Sequence, residues 1–147
     1  MYGESRGEMM TFLAMREDFP LKAAATVGAF TDLGFFIKDN PGMESVSEKI
    51  WADYKENKEK IFERRSAVNW AEKLNTPLLI MNGNNDPQVK PLHSLYLAER
   101  MQVAGKKYQL IIFDGGNHIL SGMHTEERDR QIIKWFKKHY TNRMKDL

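Results

Sequence analysis

The sequence predicts an α/β fold: a mostly parallel three-stranded sheet flanked by helices. Three apolar runs carry that expectation, Leu21 to Phe30, Pro77 to Met81 and Tyr108 to Phe113. Each is continuous rather than alternating, as in strands covered on both faces of a parallel sheet. Each also reaches glycine near its end, at Gly28, Gly83 and Gly115-Gly116. Stretches of helical periodicity fill the intervals. Strands alternating with helices imply right-handed βαβ crossovers.

The elements follow in order. Glu8 to Glu17 is expected to be helical, ahead of the first run. Ser45 with Glu48 reads as a capping box. It would open one long helix in which Val46, Ile50, Tyr54, Ile61 and Phe62 form a broken apolar stripe opposite a Lys- and Glu-rich face. Ser66 is expected to cap a short helix through Leu74, and Leu92, Leu95, Tyr96 and Met101 mark another. Thr125 is expected to cap the last helix, with Glu126 and Glu127 in its first turn and Ile132, Ile133, Phe136 and Tyr140 facing inward. Met9, Met10 and Met15 are read as core.

Composition narrows the function classes. The chain of 147 residues suits one domain of ordinary size. With 41% hydrophobic and 29% charged residues, global disorder is excluded. The net charge is +2, and the basic excess gathers late, in Lys134, Lys137, Lys138, Arg143 and Lys145. That pattern reads as a solvated helix face that also suits the helix dipole, so no nucleic-acid partner is expected. There is no cysteine, hence no disulfide, thiolate metal site or cysteine nucleophile. No apolar run is long enough to span a membrane and no signal peptide is visible, which leaves a cytoplasmic location as the expectation.

Chemistry enters at Gly3-Glu4-Ser5-Arg6-Gly7. The G-x-S-x-G pattern marks a nucleophile elbow, in which a serine stands on a sharp strand-to-helix turn. Flanking glycines suit a turn so tight that side chains would collide. A serine nucleophile needs a general base, and the base needs an acid to fix its tautomer. In α/β-hydrolases the chain order is serine, acid, histidine, each just beyond a strand. Here Asp86 follows the second run in Gly83-Asn84-Asn85-Asp86-Pro87, and His118 follows the third in Gly115-Gly116-Asn117-His118. Ligand sites of open α/β sheets gather at such strand ends.

Other readings stay open at this point. Asp86 also suits a simple Asx turn, and Asp32, after the first run, is the rival acid or else a turn or pocket-wall residue. His118 also suits a plain loop. His93, His124 and His139 read as surface or packing residues. His118 and His124 lack a third ligand at metal spacing, so neither a metal nor another cofactor is expected.

A wider set of segments resembles the catalytic domain of the prolyl oligopeptidase family of serine peptidases. They are Tyr2 to Met10, Arg65-Ser66-Ala67-Val68, Asn75 to Ile80, Pro91 to Ser94, and Phe113-Asp114-Gly115-Gly116-Asn117-His118. The resemblance covers essentially the whole chain, 1–147. It implies the C-terminal part of an α/β-hydrolase fold, a Ser5–Asp86–His118 triad, and hydrolysis of peptide or ester substrates through an acyl-enzyme on Ser5. The backbone N–H of Arg6 would supply an oxyanion donor.

Two departures from the family pattern bear on activity. Glu8 stands where the family usually has a second glycine after the elbow. Its charge would oppose the oxyanion, unless it caps the helix N-terminus. The chain is also expected to be truncated, beginning where the family's domain is half built. Loss of an upstream oxyanion donor would remove about 2.7–4 kcal/mol of transition-state stabilisation. The expectation is then a weak or inactive chain with Ser5 fraying at its terminus. An exposed apolar sheet edge near Leu21 would favour self-association. Set against the peptidase are a catalytically inactive remnant or interaction module, one half of a split hydrolase, and an esterase of the same fold.

Overall fold

In the computed structural model, residues 1–141 are described. Arg143 and Lys145, read above as part of the basic face, lie outside them. The strands are β1 (Tyr2–Glu4), β2 (Ala24–Val27), β3 (Leu78–Gly83) and β4 (Tyr108–Phe113). The α-helices are α1 (Arg6–Arg16), α2 (Leu33–Asp39), α3 (Met43–Ile50), α4 (Tyr54–Arg65), α5 (Leu92–Val103) and α6 (Thr125–Thr141). Ala67–Lys73 and Gly122–His124 are 3-10 turns.

The sheet is parallel throughout, in the order β1-β2-β3-β4. It has four strands, not the three that the apolar runs indicate. β1 escapes that reasoning because Tyr2-Gly3-Glu4 is short and has no apolar run; only Gly3 is buried. Backbone bonds tie it to β2: the Met1 amine donates to Ala23 O (2.9 Å), Ala25 N to Met1 O (3.0 Å) and Ser5 N to Val27 O (3.2 Å). The edge on this side is therefore β1. β2, which starts near the run expected to form the edge, is buried along its whole length.

Side chains alternate across the sheet with the two-residue period of a strand. Ala24, Leu78 and Ile80 pack on one face with Phe12 and Met15 of α1 and with Trp70, Leu74, Leu97 and Met101. Ala25, Val27, Leu79 and Met81 pack on the other face with Phe113, Leu120 and Trp135 of α6. Trp135 also donates from Nε1 to Ala24 O at 2.9 Å. In α6, Ile132 and Phe136 join this cluster, whereas Ile133 and Tyr140 are exposed. In α5 the buried side carries His93, Ser94, Leu97, Ala98 and Met101, and Leu92, Leu95 and Tyr96 face outward. Met15 is core, Met9 is partly buried against a buried cluster, and Met10 is exposed.

A third cluster, Phe30, Leu33, Ile37, Tyr54, Ile61 and Val89, is built from segments that follow β2 and β3. Here the expected single long helix is two. Trp51 takes an extended conformation (φ −116°, ψ 107°) between α3 and α4. It stacks on Tyr54 at 6.1 Å and under the Arg65 guanidinium at 4.6 Å. Ser45 lies inside α3 and donates to Gly42 O, so it is no N-cap. Ser66 does stand at a helix start, but its Oγ accepts from Leu33 N and ties α2 to the 3-10 turn.

Candidate active site

Ser5 sits between β1 and α1 at φ 51°, a positive value that a non-glycine residue seldom adopts. The turn drives the backbone of β1 against the first turns of α1. A Cβ on Gly3 would stand 2.5 Å from Gly7 O and from Thr11 Oγ1, so position 3 admits no side chain. Gly7 is different: a Cβ there meets nothing within 4 Å, and the crowding argument holds for one of the two glycines only. Arg6 is the first residue of α1, and its N–H has no intrahelical carbonyl to bind.

His118 arrives on the loop after β4 and is almost fully buried. Its Nε2 lies 2.9 Å from Ser5 Oγ and its Nδ1 lies 2.8 Å from Asp86 Oδ2. An ionised carboxylate only accepts, so Nδ1 carries the proton and donates to Asp86. In the neutral imidazole Nε2 is then the unprotonated nitrogen, placed to accept from the Ser5 hydroxyl.

The two carboxylate oxygens of Asp86 face different partners. Its Oδ1 accepts from Gln88 N (2.8 Å) and Val89 N (2.9 Å), which closes an Asx-type turn around Pro87. Its other oxygen faces His118. Burial pushes the Asp86 carboxyl up, but hydrogen bonds from His118, Val89 N–H and Gln88 N–H outweigh it, and the net shift is below the usual value. Asp32 goes elsewhere: it is the N-cap of α2, and its Oδ1 accepts from Phe35 N at 2.9 Å. The structure thus brings Ser5, Asp86 and His118 together and leaves Asp32 apart.

Of the remaining histidines, His93 is buried and its Nδ1 accepts from Thr31 N at 3.3 Å. His124 packs edge-on to Phe113, and His139 lies tilted against Trp135. Among the described residues, no group of three or more His, Asp or Glu is placed to hold a metal ion.

Sequence reasoning missed the environment of Glu8. The side chain is fully buried, Oε1 accepts from Phe30 N at 3.4 Å, and Oε2 has no partner. Burial pushes its carboxyl up to about 8, against hydrogen bonds from its own N–H and that of Phe30. At pH 7 it is therefore mainly a neutral acid, and it does not set a full negative charge beside Ser5. Its place on the first turn of an amphipathic helix gave the only hint of burial, and its charged residue type hid it.

A cavity of about 630 Å³ opens beside Ser5 and His118, walled mainly by apolar side chains from α1, α2 and α3. A serine on a strand-to-helix turn, an acid and a histidine, in that chain order and just past parallel strands, place the molecule among the α/β-hydrolases. More narrowly, the chain belongs to the prolyl oligopeptidase family, whose model matches residues 1–143.

Relatives agree with this assignment. The uncharacterized peptidase YuxL of Bacillus subtilis is 28% identical over 155 residues, covering 93% of this chain and 22% of its own length. A puromycin-hydrolyzing peptidase of Mycobacterium tuberculosis superposes with a TM-score of 0.65 at 25% identity, over 80% of this chain and 18% of that one. The acylaminoacyl peptidase of Pyrococcus horikoshii reaches a TM-score of 0.72 at 19% identity, over 92% and 23%, a likeness of fold. The chain spans about a fifth of the length of these relatives. Among the described residues, no helix is long and apolar enough to cross a membrane.

Proposed function

We propose that this chain carries the acyl-transfer centre of a serine-type peptidase, with Ser5 as nucleophile, His118 as general base and Asp86 as its orienting acid. The observation that carries the reading is the continuous hydrogen-bonded line from Ser5 Oγ through His118 to Asp86. Family membership adds that the scissile bond is a peptide or a related acyl bond.

Ser5 Oγ attacks the acyl carbon as its proton passes to His118 Nε2, and the carbonyl oxygen becomes an oxyanion. Asp86 stabilises the imidazolium that forms. The Arg6 N–H is the donor that this chain offers to the oxyanion. Collapse expels the amine, which takes the proton from His118, and leaves an ester on Ser5. Water activated by the same histidine then releases the acid.

A fluorophosphonate probe tests the assignment. Intact-mass and peptide mapping should place one adduct on Ser5, lost in Ser5→Ala and strongly slowed in His118→Ala. Equal labelling of the Ser5→Ala variant would remove the nucleophile.

The outer edge of β1 supports a second proposal, that the isolated chain self-associates. One side of Tyr2–Glu4 pairs with β2, and no strand among the described residues pairs with the other. Such an edge invites another strand. Its expected partner is a second copy, read as a concentration-dependent mass in solution. A monomer at all concentrations tells against it.

A further inference from the structure

The cavity beside Ser5 has the size of a small-molecule site, and its walls are largely apolar, with Met9, Phe30, Phe36 and Trp51 among them. Two guanidinium-bearing residues, Arg6 and Arg65, also line it, and no Asp or Glu does. Arg65 comes from the last position of α4 and is half-buried. Its guanidinium lies over the Trp51 ring at 4.6 Å, Nη1 reaches only Met9 Sδ at 3.8 Å, and Nε is buried without a partner.

Among the described residues, no carboxylate is within ion-pair reach of either arginine. The charges that do act on Arg65 are those of Arg64 and Arg16, which repel it. A partly desolvated cation with like-charged neighbours is unfavourable unless an anion joins it. A planar guanidinium braced against a ring is also pre-organised to take a carboxylate through two hydrogen bonds.

We propose that this cavity binds a carboxylate carried on a short apolar stem, with Arg65 as its main partner and Arg6 adding charge beside the acyl carbon. The proposal rests on the hydrolase reading above and names its substrate class: acyl groups with an acidic end. The carboxylate has two possible sources, an acidic side chain or a free chain terminus.

Titration of the 147-residue chain with two matched pairs separates these sources, followed by tryptophan fluorescence because Trp51 lines the cavity. One pair is N-acetyl-glutamate N-methylamide and its glutamine counterpart. The other is N-acetyl-norvaline and its N-methylamide. In at least one pair the carboxylate should bind about tenfold tighter than the neutral partner, less so in high salt. The pair that shows the preference names the source.

The preference should fall to within about twofold in Arg65→Gln and persist in part in Arg65→Lys. Arg6→Gln should weaken it by a smaller factor. Equal binding within both pairs, or a preference untouched by both glutamine variants, overturns the proposal. Fluorophosphonate labelling of the same samples keeps the two readings apart. Labelled Ser5 without a carboxylate preference counts against the cavity alone, and a carboxylate preference without labelling counts against the hydrolase alone.

Discussion

Gly28 lies directly against His118. At φ +66° just past β2, it leaves room that a Cβ would fill, colliding with the His118 carbonyl oxygen and standing 3.0 Å from Nδ1. That nitrogen is the one that donates to Asp86. The position of His118 thus depends on a missing side chain in another strand's loop.

Gly28→Ala should therefore impair chemistry more than folding. The positive φ costs about 1–3 kcal/mol for a residue with a side chain. A displacement of His118 by an ångström lowers the rate by about a hundredfold. Fluorophosphonate labelling of Ser5 and the thermal midpoint, measured together, check this. Labelling at the original rate would show that His118 does not depend on the gap.

Asp86→Asn makes a sharper prediction. Oδ1 of Asp86 holds the Gln88 and Val89 N–H groups, so an asparagine must keep its carbonyl oxygen there. Its NH2 then faces His118 Nδ1. A donor at that point forces Nδ1 to accept and moves the proton to Nε2, which can no longer take one from Ser5. The turn survives, so stability should change little, while labelling falls by about 10⁴-fold, the scale of a wrong tautomer in a serine triad. Loss of the fold in place of loss of rate would contradict the argument.

These dependencies show which parts of the molecule were legible in the sequence. The run at β3 was clear because both faces of that strand are buried; β4, an edge strand that is only partly buried, was clear because its apolar run is unbroken from Leu110 to Phe113. Residues that follow such strands meet because parallel strands end on one side of the sheet. β1 was not clear, because three residues with a glycine in the middle carry no period. The long helix expected from Ser45 onward breaks at Trp51, whose ring packs against Tyr54 and Arg65. Of the residues that mark α5 in the sequence, Met101 is buried and Leu92, Leu95 and Tyr96 face outward. The inner side holds His93 and Ser94, whose polar atoms meet Thr31 and Asn82. Polar residues satisfied across elements have no signature along the chain.

Asp32, the rival acid of the sequence, holds a helix end. As the N-cap of α2 it satisfies one helix N–H, that of Phe35. Asp32→Ala should lower stability by about 0.5–2 kcal/mol and leave the rate of Ser5 labelling in the folded protein unchanged. Urea unfolding and labelling at one temperature give both numbers. A large loss of labelling with the fold intact would return Asp32 to the role of rival acid.

Glu8 should give the protein an unusual dependence on pH. Its carboxyl titrates at about 8 in the folded chain, because burial disfavours the charge, against 4.5 as the ordinary value. Between those values the folded state holds a proton that the unfolded state has released. The stability it contributes is complete below 4.5 and is lost as pH rises towards 8, at up to about 1.4 kcal/mol per pH unit. His93 acts in the opposite sense. Burial lowers it from 6.5 to about 4, with Asp32, Asp39 and Asp86 raising it and Lys90 lowering it. The unfolded state then binds the extra proton, and stability rises with pH between those two values. The two slopes oppose each other from about 4.5 to 6.5, and Glu8 acts alone of the pair from 6.5 to 8. Glu8→Gln keeps the volume and removes the titration. Its stability advantage over the parent should grow steadily across that upper window, read from urea unfolding at several pH values. A constant difference between the two proteins across the window would mean that Glu8 is already ionised in the folded chain.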